Sequence, residues 1–189
     1  MAGVALNSPN DTQLSGGRIS TTITIEDQRF NCAGIIVTVE PGPNSTVEVP
    51  QGVLTINFGT TGCTDLRGNI RTGKLIFTYN GRRFKPGSTV VTTTDNYTIN
   101  GILIEGTRTL TNVSGSTQEA PRFNAVLADG KATFLADGTI AERESNITWQ
   151  WIRAANPAED HLVIDQSSTA SGITRGGRTY AVSLSKPLK

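Results

Sequence analysis

The chain has 189 residues, a formal net charge of +1, 36% hydrophobic and 17% charged residues, and threonine is its commonest residue. That length suits one all-β domain with a normal core, and a near-neutral charge excludes a global field steering the protein to nucleic acid or an anionic membrane. No apolar run approaches the ~20 residues that cross a bilayer as a helix.

Residues 1–16 are polar and rich in Ser and Asn, which predicts a flexible N-terminal segment. Met1-Ala2-Gly3-Val4 lacks the basic start and continuous apolar stretch of a signal peptide, so an exported protein would have lost its signal already. Residues 17–189 read as a single all-β domain. Ile19, Thr21, Ile23 and Ile25 alternate as a first strand, followed by Ile35 to Val39, Val47 to Val49 and Val53 to Phe58. Pro41-Gly42-Pro43-Asn44 is a turn, and residues 59–68 form a loop containing Cys63. Leu75, Phe77 and Tyr79 share one face, with Ile76 on the other.

Four Asx-Gly pairs, Asn80-Gly81, Asn100-Gly101, Asp129-Gly130 and Asp137-Gly138, punctuate the alternation. Both residue types tolerate positive φ, so each pair predicts a two-residue hairpin turn. At Asn100-Gly101 the pairing of residue 99 with 102, and of 97 with 104, would put Tyr97, Ile99, Ile102 and Ile104 on one face. Phe84 to Val91 is the return strand after Asn80-Gly81, and a strand of about six residues separates the last two turns. The run from Thr139 to Ile152 ends in Trp149-Gln150-Trp151. Residues 156–160 suit a short helical turn. Leu162 to Ile164 and Thr179 to Leu184 complete an antiparallel meander of about ten to twelve strands, forming a β-sandwich or a large curved sheet. The stop at Pro187-Leu188-Lys189, directly after a strand, reads as a truncated C-terminus.

Cys32 and Cys63 are the only cysteines; they form either one disulfide or two buried thiols, and with the distant His161 they do not supply a zinc site. Catalytic candidates are sparse. His161, the single histidine, would have to serve any Ser–His–Asp arrangement with Ser167 or Ser171, yet no Gly-x-Ser-x-Gly is present. A carboxylate pair for glycoside hydrolysis could be drawn from Asp65, Glu105, Glu142 and Glu144. Asp65, Asp95, Asn96, Asp129 and Asp137 offer loop oxygens for calcium without a calcium-loop spacing, and turn chemistry already explains the Asp-Gly pairs. No catalytic, cofactor or metal site is therefore assigned. Arg82, Arg83 and Lys85, with Phe84 among them, suit an anionic polymer or lipid headgroup, or the protection of an edge strand. Trp149 and Trp151, with Tyr79 or Tyr97, would stack on a sugar if exposed, or fill the core if not. Five Asn-x-Ser/Thr sequons discriminate nothing in a threonine-rich chain.

The stretch Cys63 to Gly81 with Arg82-Arg83, the stretch Tyr97 to Thr107 and Trp149-Gln150-Trp151 resemble uncharacterised exported lipoproteins of Bacteroidetes-type bacteria. The resemblance runs from about residue 30 to the end. It implies an extracellular or cell-envelope location, a lipid anchor on the full-length precursor, a further C-terminal β segment and no known activity. The resulting expectation is a non-enzymatic envelope or surface protein that binds a glycan or protein, or associates with itself by edge pairing. The alternative is a glycan-binding or glycan-hydrolysing protein that uses paired carboxylates.

Overall fold

The computed structural model describes residue 32, residues 34–116 and residues 120–189; the predicted flexible segment 1–16 and first strand from Ile19 to Ile25 lie outside them. The described chain is all-β, with one short 3₁₀ turn at Pro157–Glu159 where a helical turn is predicted. Eleven strands form one open antiparallel sheet: β1 Ile36–Pro41, β2 Gln51–Asn57, β3 Cys63–Thr64, β4 Ile70–Asn80, β5 Thr89–Ile99, β6 Ile102–Asn112, β7 Arg122–Phe134, β8 Ile140–Ile152, β9 His161–Ile164, β10 Thr169–Ile173 and β11 Thr179–Ser183. The order is β1-β2-β4-β5-β6-β7-β8-β10-β11. The short β3 continues the line of β2 alongside β4, while β9 and β10 share one side of β8.

The four Asx-Gly pairs behave differently, and ladder bonding decides each case. Only Asn100-Gly101 is a two-residue turn: both residues have positive φ, 52° and 74°, and Ile99 pairs with Ile102. Asn80 still pairs with Gln51 and Thr89, so the chain turns through the longer segment 81–88, and the return strand starts at Thr89 rather than Phe84. Asp129-Gly130 does not turn at all. β6 and β8 flank the chain on both sides of it, so the pair is a bulge within β7, with φ 54° at Asp129. Asp137-Gly138 ends a four-residue loop in which Phe134 N–H donates to the Thr139 carbonyl and Gly138 takes φ 71°. Residues 47–49 are bends with Val47 and Val49 exposed, because the prolines on either side leave no strand beside them to pair. Strands β3 and β10 escape sequence reading: the first has two residues, and the second is Thr-Ala-Ser-Gly-Ile with little apolar alternation.

Strict register sorts the side chains onto two faces. One row on the apolar face runs Val39, Leu54, Phe77, Thr92, Arg108, Leu127, Ser145, Ala170, Val182 across all nine columns of the sheet. Arg108 interrupts it; the side chain is half-buried, and burial pulls its guanidinium below the usual range. The opposite face carries Glu40, Val53, Thr78, Val91, Thr109, Val126, Asn146, Thr169 and Ser183 in one row. Thr38, Thr55 and Thr93 lie beside that row on one side, and Thr89, Thr111 and Thr148 on the other. Threonine is thus used where a strand needs β-branching and water needs a hydroxyl.

Two packed clusters hold the apolar face. Val37, Leu54, Ile56, Phe58, Leu75, Tyr97 and Cys32 form the larger, and Phe123, Ala125 and Trp149 the smaller. Neighbouring backbones approach closely along one transverse line of the sheet. A Cβ on Gly73 would lie 2.1 Å from the Asn96 carbonyl oxygen; on Gly106, 2.9 Å from the Asp129 oxygen; on Gly130, 2.3 Å from the Arg143 oxygen; and on Gly172, 2.0 Å from the Glu142 oxygen. Three of these glycines sit at register shifts, so bulges and glycines together let neighbouring backbones close up along one line.

Candidate binding surfaces

The best-built polar cluster lies where β3, β4 and β5 meet. Asp65 folds back as an Asx turn. Its carboxylate accepts the backbone N–H groups of Arg67 and Asn69, both at 2.9 Å, and the Asn69 side-chain amide. Arg71 Nε donates to Asp65 Oδ2 at 3.0 Å, and Arg71 Nη1 donates to the Tyr97 hydroxyl. The side chains of Asp65 and Arg71 are 0% and 8% exposed. Burial alone would raise the Asp65 carboxyl; the hydrogen bonds from Asn69, Arg71 and Arg67 outweigh it and hold the group at about 2. Burial pushes the Tyr97 hydroxyl up. Beside this cluster Cys32 and Cys63 are bonded, with Cα atoms 5.7 Å apart, and Cys63 pairs with Arg71 in the ladder. The disulfide and the Asp65–Arg71–Tyr97 network are one clasp, which fastens the chain before β1 to the edge of the main core. Asp65 is consumed here and is not open to a substrate or a calcium ion.

A second cluster gathers part of the predicted basic and aromatic surface. Arg83 lies over the rings of Phe84 and Phe123, at 5.3 and 5.8 Å from their centroids, and Phe123 stacks on Trp149 at 5.9 Å. The Arg83 carbonyl accepts from the Asn112 amide and the Ser88 hydroxyl, at 3.0 and 3.1 Å, which fixes the segment 81–88. Asn112 and Ser88 are buried. The segment joins β4 to β5, both interior strands, so Arg82, Arg83 and Lys85 do not guard a sheet edge. Arg82 turns away and donates to the Val47 carbonyl at 2.8 Å. Lys85 is exposed.

Trp149 and Trp151 share the apolar face, but in different surroundings. Trp149 is buried against Phe123 and opposite Ile164, and it presents no open ring. Trp151 is half-buried; its indole N–H donates to Asp160 Oδ2 at 3.1 Å, and Arg153 stands 5.7 Å from its ring. Tyr79 lies in the β4 part of the larger core cluster, away from both tryptophans.

Among the remaining candidates, Glu105, Lys131 and Glu142 occupy one transverse row on the threonine face, and Lys131 Nζ meets Glu105 Oε2 at 3.2 Å. The sheet spacing sets the two glutamate backbones about 9–10 Å apart. Glu144 accepts the Asp129 backbone N–H at 2.7 Å. Asp137 accepts from the Thr139 N–H and hydroxyl and from Arg175; these bonds hold its carboxyl at about 2. His161 Nδ1 is 3.1 Å from the Glu159 carbonyl oxygen, at the start of β9. Ser167 lies in the turn before β10, and Ser171 within β10 pairs with Glu144 on β8. Among the described residues no group of three or more His, Cys, Asp or Glu side chains is placed to hold a metal, and no helix is long and apolar enough to cross a membrane. Comparison of this chain with protein-family models, curated proteins and solved structures returns no match.

Proposed function

We propose that this chain is a non-enzymatic protein of the cell envelope or outer surface, acting by binding and by association between copies along its open sheet edge. The observation that carries the reading is β11. It pairs with β10 on one side and with no strand on the other among the described residues. Its residues Thr179, Ala181, Val182 and Ser183 are exposed, and it has neither the lysine nor the proline that usually blunts an edge. Two such strands paired antiparallel about Ala181 would set Tyr180 against Val182 and Thr179 against Ser183, with no like charges opposed. The disulfide supports an oxidising compartment, in line with the exported proteins that the sequence resembles. Light scattering up to millimolar concentration tests the association. Dimers or longer assemblies are expected, lost in Val182→Lys without a change in melting temperature; a monodisperse monomer throughout would remove the reading. The Glu105–Lys131–Glu142 row favours a second reading, glycan recognition or hydrolysis through paired carboxylates. Unaltered activity and binding of Glu105→Gln and Glu142→Gln on a polysaccharide panel would exclude it.

A further inference from the structure

The ladder between β5 and β6 is interrupted. Pairing holds from Thr89 with Thr111 to Thr92 with Arg108, and resumes only at Thr98 with Leu103. In between, Asn96 takes φ 48° and Gly106 φ 120°, and Gly106 is drawn against the backbone of Asp129 and Gly130 on β7. The two strands separate, and the Thr94 hydroxyl crosses the gap to the Ile104 carbonyl at 2.8 Å. What opens is a cleft of about 280 Å³ lined by Thr93, Thr94, Asn96, Leu103, Glu105 and Thr107, among others. Non-glycine residues at positive φ concentrate at functional sites more than in ordinary strands.

The chemistry of the walls narrows the ligand. Glu105 is paired with Lys131 at 3.2 Å, and Asp95, next to Asn96, with Lys74 at 2.8 Å. Each carboxylate therefore faces an ammonium, and Glu105, the one charged residue among the lining, is neutralised by Lys131 beside the cleft. An ion-paired carboxylate still has lone pairs for hydroxyl donors. Hydroxyls of threonine, one amide and the apolar wall of Leu103 complete a lining suited to alternating C–H and O–H surface. The size is at the small end of ligand sites, room for a single ring.

We propose that the β5–β6 cleft binds one neutral pyranose unit of a glycan, with Glu105, held by Lys131 from outside the cleft, accepting from ring hydroxyls and Asn96 and Thr107 donating to, or sharing hydrogen bonds with, its oxygens. The assignment rests on the reading of this chain as a binding protein and names its ligand class. Amide chemical shifts of the full chain, titrated with methyl β-glucopyranoside, methyl β-galactopyranoside, N-acetylglucosamine and glucuronate up to tens of millimolar, test it. At least one neutral sugar should move amides within residues 93–97 and 103–107. Glu105→Gln, an exposed and structurally undemanding change, should weaken that sugar about tenfold, the loss of one charge-assisted hydrogen bond. Glu48→Gln, remote in an exposed turn, should not. Still amides in the gap with every sugar, movement with glucuronate alone, or an unchanged affinity in Glu105→Gln would overturn the assignment. Sugar-induced shifts at Phe84 and Trp151 or at β11 would also overturn it while leaving the binding reading intact.

Discussion

Replacing Asp65 with alanine withdraws one carboxylate from four donors at once. The Arg67 and Asn69 N–H groups lose acceptors at 2.9 Å, and each such bond contributes about 1 kcal/mol net. Arg71, 8% exposed, keeps only its remaining partners, and stranding one member of a buried ion pair costs about 3–5 kcal/mol. These losses share one site and do not add fully, so about 4 kcal/mol is expected for Asp65→Ala, and about 2 kcal/mol for Asp65→Asn, which keeps an acceptor for the turn. For a domain of this size that lowers the melting temperature by roughly 8–16 °C and roughly half as much, respectively. Urea unfolding of the oxidised protein, followed by tryptophan fluorescence, measures both. The acid limb supplies an independent check. The folded Asp65 carboxyl titrates at about 2, below its usual 3.8, so its stabilisation is complete above about pH 4 and disappears as pH falls toward 2. Asp65→Asn should flatten that limb. A loss under ~1 kcal/mol for Asp65→Ala, with an unchanged acid limb, would refute the clasp.

Reduction of Cys32–Cys63 should cost about 3.7 kcal/mol, from the 31-residue separation and loop-closure entropy; denaturant midpoints with and without reductant measure it. Gly73→Ala and Gly101→Ala start from the same φ of 74°, but a Cβ meets the Asn96 carbonyl at 2.1 Å in the first and open space in the second. Thermal melts should show about 1 kcal/mol lost for Gly101→Ala and more than about 3 kcal/mol for Gly73→Ala. Trp149→Ala should cost about 3–5 kcal/mol and Trp151→Ala clearly less, as judged by urea midpoints, because only Trp149 is buried within a stack.

The sheet was legible because its evidence is local and redundant. Alternation in Val53 to Phe58 and in Leu75 to Tyr79 survives in the structure as the buried rows of β2 and β4. The Asn100-Gly101 turn and the Ile99–Ile102 pairing specify each other. The predicted register holds through Thr98 with Leu103, and the ladder then lapses before Tyr97 and Ile104, which still reach the same core cluster. Asn80-Gly81 has the same composition as Asn100-Gly101, and Asp129-Gly130 the same Asx-Gly turn chemistry. What separates them is whether strands on both sides continue, a property of partners far away in the sequence. The basic segment 82–85 was misplaced for the same reason, since edge or interior is decided by which strands pair.

The candidate sites divide along the same line. Arg83, Phe84 and Trp149 were individually conspicuous, but the ring that joins them, Phe123, comes from β7 and carried no local signal. Arg71 has no signal of its own in the sequence, and its burial follows from Asp65, just after β3, and Tyr97 on β5 closing on it. The β5–β6 cleft had a sequence trace that alternation analysis passes over: Gly106 interrupts an otherwise regular Ile-Leu-Ile-Glu/Thr-Arg-Thr-Leu strand. A glycine within a strand marks a bulge or a close backbone approach, and here Gly73, Gly106, Gly130 and Gly172 mark both. Glycines in these strands therefore locate the line of bulges and close approaches, and the same line is where the β5–β6 ladder opens. The ligand chemistry of the cleft is set by the side chains that happen to flank the fault, Glu105 and Thr107 on one side and Thr93 to Asn96 on the other.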